Sequence, residues 1–198
     1  MTECRCTDRL QTEDSSVLQE HRFWVVGESP LLTHNPAKMG RQDGGAKLRK
    51  IPTPEDEAMA GLYVLEDGAY GMRGEAYRSA LLNGLKNKKV GRASAISVFQ
   101  AAVFSVKEWV TLVDPKTKKP LKEYAVDSRR AIVQRQGVIR SRPRFEEWGA
   151  YVPLFIDTEM VSADQVLEHL NVAGRIIGVG DYRIEKRGMF GRFKAEKA

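Results

Sequence analysis

Two cysteines are the whole complement in 198 residues, and both, Cys4 and Cys6, lie in the N-terminal stretch MTECRCTDRLQTEDSS. A disulfide framework needs cysteines spread through the fold, so this chain is expected to be held together by its core. A C-x-C pair offers only two zinc ligands, and the nearest histidine, His21, stands fifteen residues beyond Cys6 without metal-type spacing. No metal is expected. Long apolar runs are missing as well: each is interrupted within about ten residues, against the roughly 18 needed to span a bilayer. The N-terminal stretch is polar and acidic, with no basic segment ahead of an apolar one, and reads as no secretory leader. Membrane and secreted settings drop out, and a reducing cytoplasm is the expected home.

Catalytic signatures are equally scarce. There is no H-E-x-x-H, no G-x-S-x-G, no G-x-x-x-x-G-K-[ST], and no cysteine beside a histidine. Gly178-x-Gly180-x-x places Arg183 where a dinucleotide fingerprint wants glycine or alanine, and it follows a predicted helix instead of a strand. No nucleotide cofactor is expected. Of the three histidines, His21 falls in a predicted strand and His169 on a helix beside Leu170, at its surface or edge. His34 alone falls in a long basic loop, where it is a candidate general acid or base for RNA cleavage.

What the chain does have is ordinary globular composition, 42% hydrophobic and 29% charged, and an excess of positive charge, net +6. The length suits one domain with insertions. The distribution of charge says more than its total. Residues 1–20 hold five acids and two bases. Arg129–Arg144 (RRAIVQRQGVIRSRPR) holds six arginines, Arg129, Arg130, Arg135, Arg140, Arg142 and Arg144, and no acid. Arg183–Lys197 holds six bases against two acids, and Lys38, Arg41, Lys47, Arg49 and Lys50 face Asp43 alone. Solvated faces usually mix signs, so arginine without acid points to phosphate, which guanidinium grips in a planar, bidentate way. Tyr124, Phe145 and Trp148 flank the arginine segment and Tyr182, Phe190 and Phe193 the C-terminal one, rings able to stack on unpaired bases.

Along the chain, residues 1–19 read as a flexible acidic tail. His21–Gly27 (HRFWVVG) is a first strand, followed by a polar loop over 33–52. Thr53-Pro54-Glu-Asp-Glu57 starts a helix. Helices are predicted over 75–86 and 93–104, a strand over 106–113, and an antiparallel return over 121–127. The arginine segment reads as a strand or the arm of a ribbon, and Tyr151–Ile156 as a central strand. Ser162 and Gln165 form a capping box, Val161 and Val166 its staple, and Gly174 is placed to end that helix. The glycines beyond it either bring backbone close to a ligand, ringed by Arg183, Lys186, Arg187 and Arg192, or permit a bulged last strand. The sum is an α+β fold with a mainly antiparallel sheet.

The order of helix, glycine-rich loop Gly174–Gly191 and basic aromatic end, with Ser29-Pro30-Leu31-Leu32-Thr33-His34 after the opening strand, resembles the RAMP (repeat-associated mysterious protein) superfamily. Those are RRM-like, ferredoxin-fold subunits of CRISPR effector complexes. The chain resembles their backbone type and its phage-encoded relatives over roughly residues 20–195. The resemblance implies one β-α-β-β-α-β domain over 20–198, with an inserted loop at 33–52 and a basic hairpin or web at about 114–148. It implies binding of single-stranded RNA, ahead of single-stranded DNA, as a homo-oligomer or filament, with other effector subunits as further partners. Gly178, Gly180, Gly188 and Gly191 would lie near the nucleic-acid backbone, beside Phe190. Some members cut RNA with a loop aspartate or histidine, for which Asp43 and His34 are the positional candidates. The chain departs from that type in being short and in its acidic tail. The expectation is a non-catalytic nucleic-acid binder; the alternatives are an endoribonuclease using His34 and a structural protein whose arginines meet an acidic protein surface.

Overall fold

The computed structural model describes residues 17–36, 52–133 and 136–198. Most of the N-terminal stretch, together with Lys38, Arg41, Asp43, Lys47 and Arg135, lies outside the described residues. The first strand, β1 (Leu18–Gly27), ends at glycine as its sequence predicts but begins three residues before His21, because Leu18 and Gln19, expected in the flexible tail, pair with Asp157 and Ile156. Strand alternation sends Phe23 and Val25 into the core, while Trp24 on the other face lies 4.6 Å, centroid to centroid, from Tyr151. The short β2 (Leu31–Leu32) follows. Helix α1 (Pro54–Ala60) is capped as expected: the Asp56 amide donates to the Thr53 hydroxyl at 3.2 Å and the Thr53 amide to the Asp56 carboxylate at 3.4 Å.

Strand β3 (Gly71–Arg73) runs into α2 (Gly74–Gly84), and β4 (Lys89–Val90) pairs with β5 (Ala93–Ser94). Helix α3 (Ala95–Ala102) is shorter than the expected 93–104, because 93–94 pairs as strand and Val103 is already extended. Next come β6 (Val103–Ser105) and β7 (Trp109–Thr111). The expected hairpin between 106–113 and 121–127 is reduced to a bridge between Val113 and Pro120, because β7 pairs with β3 instead. The Asp114 carboxylate makes that turn, accepting from the Lys116 and Thr117 amides at 2.7 and 2.8 Å.

The arginine segment belongs to a two-stranded ribbon, β8 (Ala125–Val133) with β9 (Gln136–Phe145), and β9 also pairs with β2. Strand β10 (Gly149–Asp157) leads to α4 (Ala163–Ile176) and, after a long loop, β11 (Phe193–Lys197). The capping box is present, Gln165 to Ser162 Oγ at 3.2 Å and Ser162 to Gln165 Oε1 at 2.9 Å, and Val161 and Val166 are both buried. Gly174 does not end the helix. It sits inside α4 against β11, where a Cβ would lie 2.0 Å from the Phe193 carbonyl oxygen. The helix stops two residues later, with the amides of Ile177 and Gly178 both donating to the Ala173 carbonyl and Gly178 at φ +74°.

The main sheet has the order β11–β1–β10–β6, all antiparallel, so in order of appearance its strands read fourth, first, third, second. Helices α2 and α4 touch at small residues, where a Cβ on Gly84 would lie 3.0 Å from that of Ala173. Their Tyr77, Leu81, Val166 and Leu170 share one core with Phe23 and Val25 of β1 and Val152, Leu154 and Ile156 of β10. The fold is α+β with mostly antiparallel sheets. Among the described residues no helix is long and apolar enough to cross a membrane.

Candidate functional site

The segment Ser29-Pro-Leu-Leu-Thr-His34 sits between the ribbon and the glycine-rich loop and binds both. On one side Leu31 and Leu32 pair with Phe145 and Arg144 of β9, and the Thr33 amide donates to the Pro143 carbonyl. On the other, the Gly191 amide donates to the Pro30 carbonyl and the Asp181 amide to the Leu32 carbonyl, each at 2.8 Å, and the Arg192 amide to Ser29 Oγ at 2.9 Å. Trp148, fully buried, donates its indole N–H to the Ser29 carbonyl at 2.8 Å. Proline at 30 leaves its carbonyl as the only backbone group needing a partner there, and the loop supplies one. Two basic segments separated by some forty residues are thereby placed side by side.

Their side chains interlock. Arg142 of β9 forms an ion pair with Asp181 of the loop. The Arg129 guanidinium lies 4.6 Å above the Phe190 ring, and that of Arg144 lies 5.8 Å from it. Phe190 is buried beneath them, as Phe145, Trp148 and Phe193 are buried elsewhere, and Tyr182 is the exposed ring of the group, with Arg129 5.9 Å away.

Arginines of the acid-free segment are paired in the structure, Arg129 and Arg144 with the acids that flank it in sequence and Arg140 and Arg142 with distant ones. Arg129 is held bidentately by Asp127 at 2.5 and 3.0 Å, and Arg144 binds Glu146 at 2.8 Å and reaches Asp127 at 3.6 Å. Arg140 binds Glu57 of α1 at 2.9 Å, and the same carboxylate accepts from the Ser141 amide. Arg183 folds back on Glu185 at 2.8 Å. Burial pushes the Glu185 carboxyl up, but hydrogen bonds from Arg183 and Lys86 outweigh it and hold the group below its ordinary range. Arg130, Lys186, Arg187 and Arg192 are exposed and have no carboxylate partner within ion-pair distance among the described residues. The acids at 57 and 181 lie far off in sequence, so charge runs along the chain could not reveal this pairing.

A cavity of about 290 Å³ opens where the loop meets α2. Thr33 and His34 line it from the segment after β2, Ala76, Ser79, Ala80 and Asn83 from one side of α2, and Gly178, Gly180, Asp181 and Arg183 from the loop. His34 and the glycine loop, marked separately in the sequence, thus meet at one site. Tyr63 also lines it, donating its hydroxyl to the His34 carbonyl at 2.7 Å, while its ring packs 5.2 Å from Trp109 under the Arg73 guanidinium. Burial raises the Tyr63 pKa; Arg73 opposes this and Asp181 adds to it, so the phenol stays protonated. His34 is half-buried, with Nδ1 shielded from solvent and lacking a hydrogen-bond partner. The loop's other two glycines are required by its own folding: a Cβ on Gly188 or Gly191 would lie 1.5 or 1.8 Å from the Tyr182 or Val179 carbonyl oxygen.

His169 lies apart, its ring 5.2 Å from Phe99; burial, then Lys88, lower its pKa against the pull of Glu168. Sequence reasoning missed Tyr63, Arg73, Ser79 and Asn83. The one available signal was helical spacing on α2, where 76, 79, 80 and 83 share a side. No protein-family model matches this chain, and no curated protein matches it either.

Proposed function

We propose that this chain is a non-catalytic single-stranded nucleic-acid-binding protein, with RNA ahead of DNA, built on a ferredoxin-like core. The sheet order fourth–first–third–second, with α2 and α4 packed on each other and into its core, supports the core. The observation that carries the function is the joining of ribbon and glycine-rich loop through Ser29–Thr33, with Arg130, Lys186, Arg187 and Arg192 left on the two segments without carboxylate partners among the described residues. Such cations, beside an exposed ring at Tyr182, can meet phosphates and one stacked base. The ion-paired arginines hold the ribbon to its neighbours. Among the described residues Asp181 is the carboxylate lining the cavity beside His34, and it is paired with Arg142. Size-exclusion chromatography with light scattering, before and after nuclease treatment, tests the reading. The expected outcome is a high A260/A280 and a mass that falls with RNase or DNase. A nucleic-acid-free particle that ignores added oligonucleotides at low salt would overturn it and favour an acidic protein partner.

A further inference from the structure

We infer that the cavity beside the glycine-rich loop seats one unstacked base of a bound strand, with its phosphate at Arg73; this rests on the nucleic-acid reading above. At about 290 Å³ the space is at the small end for ligand sites and suits a single nucleoside-sized group. Met72 of β3, Ala76 and Ala80 of α2, and Val179 of the loop give it apolar lining, which a base face can pack against. Of its polar side chains, those of Thr33, Tyr63, Asp181 and Arg183 already have partners within the fold. Asn83 offers both a donor and an acceptor, Ser79 a hydroxyl at the exposed side of α2, and neither has a hydrogen-bond partner among the described residues. His34 lines the same space from the segment after β2. Arg73, exposed and stacked on Trp109, supplies positive charge at the same cavity. Splayed bases held by apolar faces and read at their edges are a common way for proteins to bind single strands.

The test uses single-stranded oligonucleotides carrying one 2-aminopurine, with adenosine monophosphate as the free-ligand probe, on the full chain and on Ser79→Phe and Asn83→Leu. Ser79→Phe fills the cavity from an exposed helix position, and Asn83→Leu removes edge hydrogen bonds without filling it; melting temperatures establish that each variant folds. Binding to the wild type should raise 2-aminopurine emission severalfold, because the base leaves its stacked neighbours. Ser79→Phe should abolish the rise and weaken strand binding roughly tenfold, the scale of one held base. Asn83→Leu should weaken it less. Equal affinity and equal emission in all three proteins would overturn the inference while leaving strand binding intact. Binding of adenosine monophosphate by a protein that binds no strand would overturn both, making the cavity a free-nucleotide site. No binding of either probe would also sink both.

Discussion

Tyr77 on α2 has its ring in the core and its hydroxyl fully buried and, among the described residues, without a hydrogen-bond partner. Burial drives its pKa far above the ordinary phenol value, so the oxygen is neutral but unsatisfied. A polar atom stranded in this way costs about 1–3 kcal/mol, whereas the ring itself packs against Phe193 at 6.1 Å. Tyr77→Phe keeps the ring and removes the stranded oxygen. The variant should therefore be as stable as the wild type or more stable by about 1 kcal/mol, read as a shift in urea midpoint at constant m. A clear loss of stability would mean that the hydroxyl has a partner. Single residues of this kind were legible in part. The periodicity of α2 marks Tyr77 as a core position, but periodicity carries nothing about what its oxygen meets.

Elements whose ends are written locally were legible: the caps at Thr53 and Ser162 need only residues three apart, and both formed. Elements whose partners are distant were not. Gly174 looked like a helix stop because glycine often is one, yet its small size serves contact with β11, nineteen residues on. Residues 121–127 looked like the return arm of a hairpin because a turn precedes them, yet β7 had a better partner in β3. The one-turn helix Ile184–Lys186 shows the same dependence on distance, since Lys86 reaches it from just past α2 to bind Glu185 at 3.4 Å, beside Arg183. Because the folded pKa of Glu185 lies below its unfolded value of about 4.5, this cluster stabilises the fold above that pH. The contribution is lost as pH falls through the lower, folded value. Melting temperatures of the wild type and Glu185→Gln should differ at pH 7 and converge on acidification below about pH 4.5. A gap that stays constant down to pH 2 would show that the carboxylate's charge does not matter.

At the scale of the whole molecule, charge read along the chain and charge read in space give different accounts of the same arginines. Arg140 and Arg187 look alike in sequence, but Arg140 is 2.9 Å from Glu57 whereas Arg187 is exposed and has no carboxylate partner among the described residues. A guanidinium already neutralised by a carboxylate gains little from a phosphate that must displace it, and the exchange releases few counterions. An unpaired one releases its share, so log K for a single strand falls with log salt by about 0.7 per contact. The two arginines therefore separate in a salt titration. Arg187→Ala should weaken binding at 50 mM salt and lower the slope by about 0.7, while Arg140→Ala should leave the slope unchanged at a temperature where both variants are folded. If Arg140→Ala lowers the slope as much as Arg187→Ala, the ion pair with Glu57 opens to admit phosphate, and the ribbon belongs to the binding surface. If neither changes it and affinity is flat from 50 to 500 mM, the electrostatic basis of the proposed function is gone.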